Sequence, residues 1–316
     1  MSARDLIDPE MRAALDAMLE AIPGGYNSIP DIVKRREVSE QLAAARRLPP
    51  SPGIAISERT VPGPVGAPDI TLRIYRPEAV PGPRPGIYFI HGGGMILGSA
   101  RRDDGIASML SEQLGATVVS VEYRLAPENP HPAHVEDCYA GLDWTAHHVS
   151  ELDIDAGRIA IYGASAGGGL TIATALMARD KGYPAIRFQM PIYPMIHNGH
   201  DTPSSYEITD VGIWDRRTNI EAWQWYLGGG PADDYAVPAL AKNLAGLPPT
   251  YIDVGTVDLF RDEDVAFATR LMHAGVPTEL HVWPGAYHGA ENTAPQAELS
   301  RRIWAGRIEA LRHALA

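Results

Sequence analysis

A single cysteine in 316 residues leaves no internal disulfide to form, and Cys138 falls in a helix-like segment where a buried thiol is expected. No run of residues approaches the roughly 18 consecutive apolar positions of a membrane span. The stretch MSARDLIDPEMRAALDAMLEAIP carries charges throughout and has no apolar core of signal-peptide length, so the expected location is the cytoplasm. Positive charge is also scarce: 27 Lys and Arg stand against 39 Asp and Glu, a formal charge of −12 and a pI near 5.3. That balance argues against a nucleic-acid or anionic-membrane partner. No internal repeats are visible. What remains is a globular chain, 45% apolar, with enough material for one large α/β domain or two ordinary ones.

Asp8 and Pro9 read as an N-cap and first helical residue, and Met11, Leu15, Met18, Leu19 and Ile22 then share one face of an amphipathic helix. A second helical stretch is expected at 31–47, and LPPSPG at 48–53 closes this appendage as a linker. Strands are predicted near 54–61, 71–76, 86–91, 116–123, 158–162, 186–193, 249–254 and 278–283. Helices are predicted near 103–114, 132–150, 166–181, 261–274 and 295–314. The early strand pair around PGPVGAPD suggests an antiparallel hairpin. The later alternation calls for a mostly parallel sheet covered on both faces, whose ligands bind at the carboxyl ends of the strands.

Two glycine-rich stretches lie at such ends. In RIAIYGASAGGGL, a buried strand runs into Gly163-Ala164-Ser165-Ala166-Gly167 and then a helix, the strand-turn-helix setting of G-x-S-x-G. The small residues let strand and helix pass closely while the Ser165 hydroxyl stands at the tip of a strained turn. A dinucleotide loop would place its second glycine on Ser165, and a phosphate loop would need lysine near Gly169; both readings fail there. A serine needs a base, and the base a carboxylate to orient it. In the order Ser, acid, His, the acid falls on Asp258 of PTYIDVGTVDLFRDED and the base on His288 of ELHVWPGAYHGAE, placed on the loop after a strand ending near Trp283. Asp253 reads as structural within its strand, and Asp262, Glu263 and Asp264 as acids opening a helix. In IYFIHGGGMILGSA, bare backbone behind a strand fits an oxyanion hole built from the amides of Gly93, Gly94 and Ala166. The H-x-x-H pairs at 131/134 and 197/200 lack the setting of a zinc site, so no metal is expected.

HGGG at 91–94, EYRLAPENPHPAHVEDCYAGLDW at 122–144, GASAGGG at 163–169, VDLFRDED at 257–264 and AGVPTELHVWPGAYHG at 274–289 together resemble the hormone-sensitive-lipase-like esterases, the bacterial family IV. The resemblance covers nearly everything from residue 70 onward. It implies an α/β-hydrolase fold with an eight-stranded, mostly parallel sheet and helices on both faces. It also implies no cofactor, a small-molecule ester as the partner, and hydrolysis of short-acyl carboxylic esters. Residues 1–50 and an insertion at about 195–232 would form a helical cap on a catalytic domain spanning 51–316. Three positions depart from the family pattern: Ala164 before the nucleophile, Ala290 after His-Gly, and Val257-Asp258-Leu259 for Asp-Pro-Leu. None removes a catalytic side chain. Arg124 and Glu128 read as members of a structural ion-pair network. The insertion holds Tyr206, Trp214, Trp223, Trp225 and Tyr226 in a chain only 7% aromatic, so at least one of these rings is expected to face the substrate. Amide, carbamate or lactone hydrolysis would use the same triad. Hormone receptors on this fold have lost the catalytic histidine, which this chain keeps. A homodimer is left open.

Overall fold

The computed structural model describes residues 2–46, 49–209 and 213–316. Met1, the last residue of the expected second helix (47), the first of the expected linker (48) and residues 210–212 of the insertion lie outside the described residues. Eight strands form one sheet: β1 (Ile54–Val61), β2 (Ile70–Pro77), β3 (Arg84–Ile90), β4 (Thr117–Glu122), β5 (Ile154–Ala164), β6 (Phe188–Ile192), β7 (Thr250–Val257) and β8 (Thr278–Tyr287). Their order is β1-β2-β4-β3-β5-β6-β7-β8; β2 runs antiparallel to both neighbours, and every later pairing is parallel.

The helices are α1 (Pro9–Ala21), α2 (Ile32–Arg46), α3 (Asp104–Leu114), α4 (Ala133–His147), α5 (Ala166–Lys181), α6 (Pro203–Glu207), α7 (Arg216–Leu227), α8 (Arg261–His273), α9 (Ala290–Thr293) and α10 (Glu298–Ala314). In β3, Ile87 and Phe89 pack on one face with α3 and α10, while Tyr88 and Ile90 pack on the other with α4 and α5. Burial on both sides explains why this strand reads as a continuous apolar run rather than an alternation. Helix α5 is apolar nearly all round for the same reason, since it lies within the core.

Register sets the site. Ile90 pairs with Gly163, so His91, just after β3, and Ala164, the last residue of β5, emerge side by side. Ala164 pairs with Ile192, and Val257 with Tyr287, which brings Asp258 and His288 out next to each other. Several boundaries differ from expectation, three of them near the site or in its sheet. Strand β8 continues past Trp283 to Tyr287, carried through Pro284 and Gly285 by a register shift opposite Gly255–Val257. Strand β5 begins at Ile154. The last helix begins at Glu298 rather than 295, with Ala297 at its N-cap, and is preceded by a short unexpected α9 that Gly289 starts at φ 69°.

Residues 2–46 pack onto the sheet domain. Asp8 caps α1 by accepting from the amides of Glu10 and Met11, and Met11, Leu15 and Met18 are buried in the main core. Asp8 N donates to Gly285 O of β8, and Tyr287 OH donates to Met11 O. Arg35 pairs with Glu221 of α7, while Asn27 donates to Ile213 O, so the N-terminal segment and the insertion are joined.

Candidate active site

Ser165 sits at φ 60°, ψ −120°, a left-handed conformation that few side chains adopt. Its backbone is held there from both sides: Ser165 N donates to Ile192 O at 2.9 Å, and Ser165 O accepts from Gly169 N and Met195 N, each at 3.0 Å. The flanking glycines are required by space. A Cβ on Gly163 would lie 2.2 Å from Gly167 O, and one on Gly167 would lie 2.1 Å from Ile90 O.

Ser165 Oγ lies 2.9 Å from His288 Nε2, and His288 Nδ1 lies 2.8 Å from Asp258 Oδ2. The other carboxylate oxygen of Asp258 accepts from Phe260 N at 3.0 Å. Asp258 is fully buried, whereas Ser165 and His288 each retain 7% exposure. An imidazole bonded to a buried carboxylate through Nδ1 presents Nε2 to the hydroxyl, the geometry needed to remove its proton. All three residues predicted for this role are therefore together.

Gly93 and Gly94 follow at φ 128° and 62°. Expectation made them bare so that a substrate can approach; the structure adds two local reasons. A Cβ on Gly93 would come within 2.0 Å of Leu97 O, closing against the turn in which Ile96 N and Leu97 N donate to Gly93 O. A Cβ on Gly94 would come within 2.0 Å of Trp214 Cη2, so the indole of the insertion lies on this loop. Among the described residues, no backbone carbonyl accepts from the amides of Gly93, Gly94 or Ala166, which leaves them available as donors.

Two buried histidines support the loop. His91 Nδ1 bonds Gly92 O at 2.9 Å, and its ring stacks on Tyr123 at 4.1 Å, whose hydroxyl donates to His91 O. His134 Nε2 donates to Met95 O at 3.0 Å. Burial pushes His91 down to about 4 and His134 down to about 3, so both are neutral near pH 7. His131 instead meets Asp233, His197 meets Asp201, and His200 Nδ1 lies 3.1 Å from Asn219 Nδ2, so neither H-x-x-H pair converges. Among the described residues no group of three His, Cys, Asp or Glu is placed to hold a metal ion.

Arg124 and Glu128 each enter a structural ion pair, though with different partners. Arg124 makes a two-pronged pair with buried Asp137, while Glu128 reaches Arg36 of α2. Arg36 also donates to Ile96 O at 2.9 Å and Ala126 O at 2.7 Å, which ties the N-terminal segment to the glycine loop. Asp262 pairs with Arg261 and accepts from Ser204 N, and Glu263 accepts from Ile196 N and His197 N. Neither of them touches His288. Asp264 is fully buried, and burial pushes it well above the usual carboxyl range.

Sequence reasoning missed Tyr193, Glu291 and Arg307. Tyr193 lies at the end of β6 with its ring 4.7 Å from that of His288, and its hydroxyl donates to Glu291, which pairs with Arg307. The one available signal was Asp253, a carboxylate inside a buried strand, which forms the far end of this network.

A profile of the alpha/beta hydrolase fold family matches residues 87–292. Esterase LipI of Mycobacterium tuberculosis is 37% identical over 290 residues, covering 90% of this chain and 87% of that protein. Carboxylesterase NlhH of the same organism is 35% identical over 312 residues, covering 97% of each. Among solved structures, a bacterial heroin esterase superposes with a TM-score of 0.94 at 36% identity over the full length of both chains.

Proposed function

This chain belongs to the alpha/beta hydrolase fold family and is a carboxylic ester hydrolase, and on that premise we propose that Ser165, His288 and Asp258 are its triad. The single observation that carries the assignment is the continuous path from Asp258 Oδ2 through His288 to Ser165 Oγ, with contacts of 2.8 and 2.9 Å, at the tip of a strained turn. His288 Nε2 takes the hydroxyl proton as Oγ forms a bond to the ester carbonyl carbon. The carbonyl oxygen becomes an oxyanion and rests on the amides of Gly93, Gly94 and Ala166. Collapse of that intermediate breaks the bond to the alkoxy oxygen, which leaves with the proton held on Nε2. Water, deprotonated by His288, then attacks the acyl-enzyme; the acid departs and the proton returns to Ser165 Oγ. Asp258 keeps Nδ1 protonated and the ring in register. No step requires a cofactor.

The preferred substrates are short-acyl esters. Trp214 against Gly94, and the N-terminal segment joined to the insertion, support a cap that closes the strand-end cleft and limits its depth. The test is Ser165→Ala assayed on para-nitrophenyl esters from acetate to palmitate, with the amide analogues alongside. Turnover is expected to fall by several orders of magnitude with the fold unchanged. Near wild-type hydrolysis by that variant would overturn the assignment, and faster cleavage of the amides by the intact enzyme would replace the ester reading.

A further inference from the structure

We propose that Tyr193, Glu291, Arg307 and Asp253 form a buried brace that fixes the orientation of the His288 imidazole, with Tyr193 and Glu291 as its positioning residues. The proposal rests on the reading of His288 as the general base. Two aromatic rings hold the imidazole, Tyr193 at 4.7 Å and 61° and Phe260 at 5.2 Å and 77°. Phe260 is set by its own amide on Asp258. Tyr193 ends in a buried hydroxyl that must find an acceptor, and it donates to Glu291 Oε1 at 2.6 Å.

The same oxygen accepts from Arg307 Nη1 at 2.8 Å, while Nε and Nη2 of Arg307 bond the two oxygens of Asp253 at 2.8 and 2.9 Å. Asp253 O accepts from Tyr193 N at 2.7 Å, which closes the ring of bonds where it began. The loop thus joins the residue just after β6 and the middle of β7 to α9 and α10. It also anchors Glu291, three residues after His288, and so steadies the turn that carries the base. Burial pushes the Tyr193 phenol well up, which keeps it a donor. Burial would raise Glu291 too, but Arg307 and the Tyr193 hydroxyl together outweigh it and hold the carboxyl below its usual value.

Stability alone is a poor reason for this arrangement. Two carboxylates and one guanidinium, all at most 2% exposed, bear a desolvation cost that well-packed apolar residues would avoid. The bonds instead specify one position for Tyr193, whose backbone is itself held at φ 32°. Asp258 and Ser165 fix the imidazole at its two nitrogens; the brace fixes its face.

The test uses full-length Tyr193→Phe, which removes only the hydroxyl, and Glu291→Gln, which keeps shape and removes charge. Steady-state kinetics on a soluble ester are read beside the downfield Nδ1 proton of His288 in the NMR spectrum, assigned by its loss in His288→Gln. In both variants kcat is expected to fall about tenfold to a hundredfold, with KM within about twofold and the Nδ1 resonance shifted or broadened. Glu291→Gln is expected to be the more severe. Folded variants with unchanged kcat and an unchanged resonance would overturn the proposal. So would a loss of kcat that merely follows the unfolded fraction while the resonance of the folded protein stays in place. Failure of the esterase reading would appear separately, as undiminished hydrolysis by Ser165→Ala, and the NMR signal would still report on the brace.

Discussion

Asp258 competes for the role of acid with three carboxylates within six residues, and contact geometry separates them. Asp258 Oδ2 is bonded to the imidazole, whereas Asp262 is committed to Arg261 and Ser204. Asp258→Asn should lower kcat by about 10³ to 10⁴, because an amide favours the wrong tautomer of the ring. Asp262→Asn should cost less than about tenfold, since it alters only an ion pair and a cap away from the imidazole. Kinetics of both variants under folded conditions decide this, and the reverse ranking would move the acid. His91 and His134 lead to a second outcome, in stability. Their folded values lie near 4 and 3, below the roughly 6.5 of an unfolded histidine, so the unfolded chain binds more protons. Their stabilising effect is complete above about 6.5 and is lost as pH falls toward those values, up to about 3 kcal/mol for His91. Buried Asp264 and Glu263, both raised, act in the opposite sense and gain as pH falls. The difference between wild type and His134→Gln isolates the histidine: melting temperature should fall less steeply from pH 6.5 to 4.5 in the variant. Equal slopes would mean that His134 is not held neutral by burial.

At the scale of elements, the parts legible in the sequence are those where one local constraint decides. Gly163 and Gly167 had to be small for β5 and α5 to pass, so the turn that carries Ser165 could be placed to the residue. Asp258 and His288 follow the ends of neighbouring strands, and their positions could be read from strand order alone. Long-range contacts left no comparable trace. Nothing local links Glu291 to Tyr193, 98 positions away, or Arg36 to Ile96. The insertion is an intermediate case: its aromatic richness was visible, but not which ring meets the site. Most of those rings are occupied elsewhere, with Trp223 and Tyr226 in the core and Tyr206 exposed beneath Arg216. Trp214 lies on Gly94, its indole N–H held by Asn219 at 3.0 Å. Trp214→Leu should therefore admit longer acyl groups. Each methylene newly accommodated adds about 0.8 kcal/mol, or about fourfold in kcat/KM, over the wild-type profile. An unchanged chain-length optimum would show that another side chain sets the limit.

Across the whole molecule, the N-terminal segment belongs to the same cooperative unit as the catalytic loops. Leu15 is fully buried between Met11 and Met18, and Tyr287, which donates to Met11 O, immediately precedes His288. Arg35 and Arg36, adjacent in α2, reach in different directions, one to Glu221 of the insertion and the other to the turn after Gly93 and Gly94. Leu15→Ala should cost about 2 to 5 kcal/mol of stability, measured by denaturant unfolding, because the surrounding core can relax only partly into the space. Removal of residues 2–46 should expose that apolar face and yield insoluble protein. If the N-terminal segment and the insertion form the proposed cover, its described apolar residues Met11, Leu15 and Met18 are buried against the body and not free to spread on a lipid droplet, and Ser165 is only 7% exposed. The intact protein should therefore hydrolyse dissolved esters of about two to six acyl carbons best, with efficiency falling steeply beyond, because further methylenes must displace packed rings or remain in water. The deciding measurement sets soluble short esters against long-chain triglyceride emulsions at equal enzyme concentration. Comparable rates on the two would mean that the cover opens as a unit and that the enzyme works at a lipid interface.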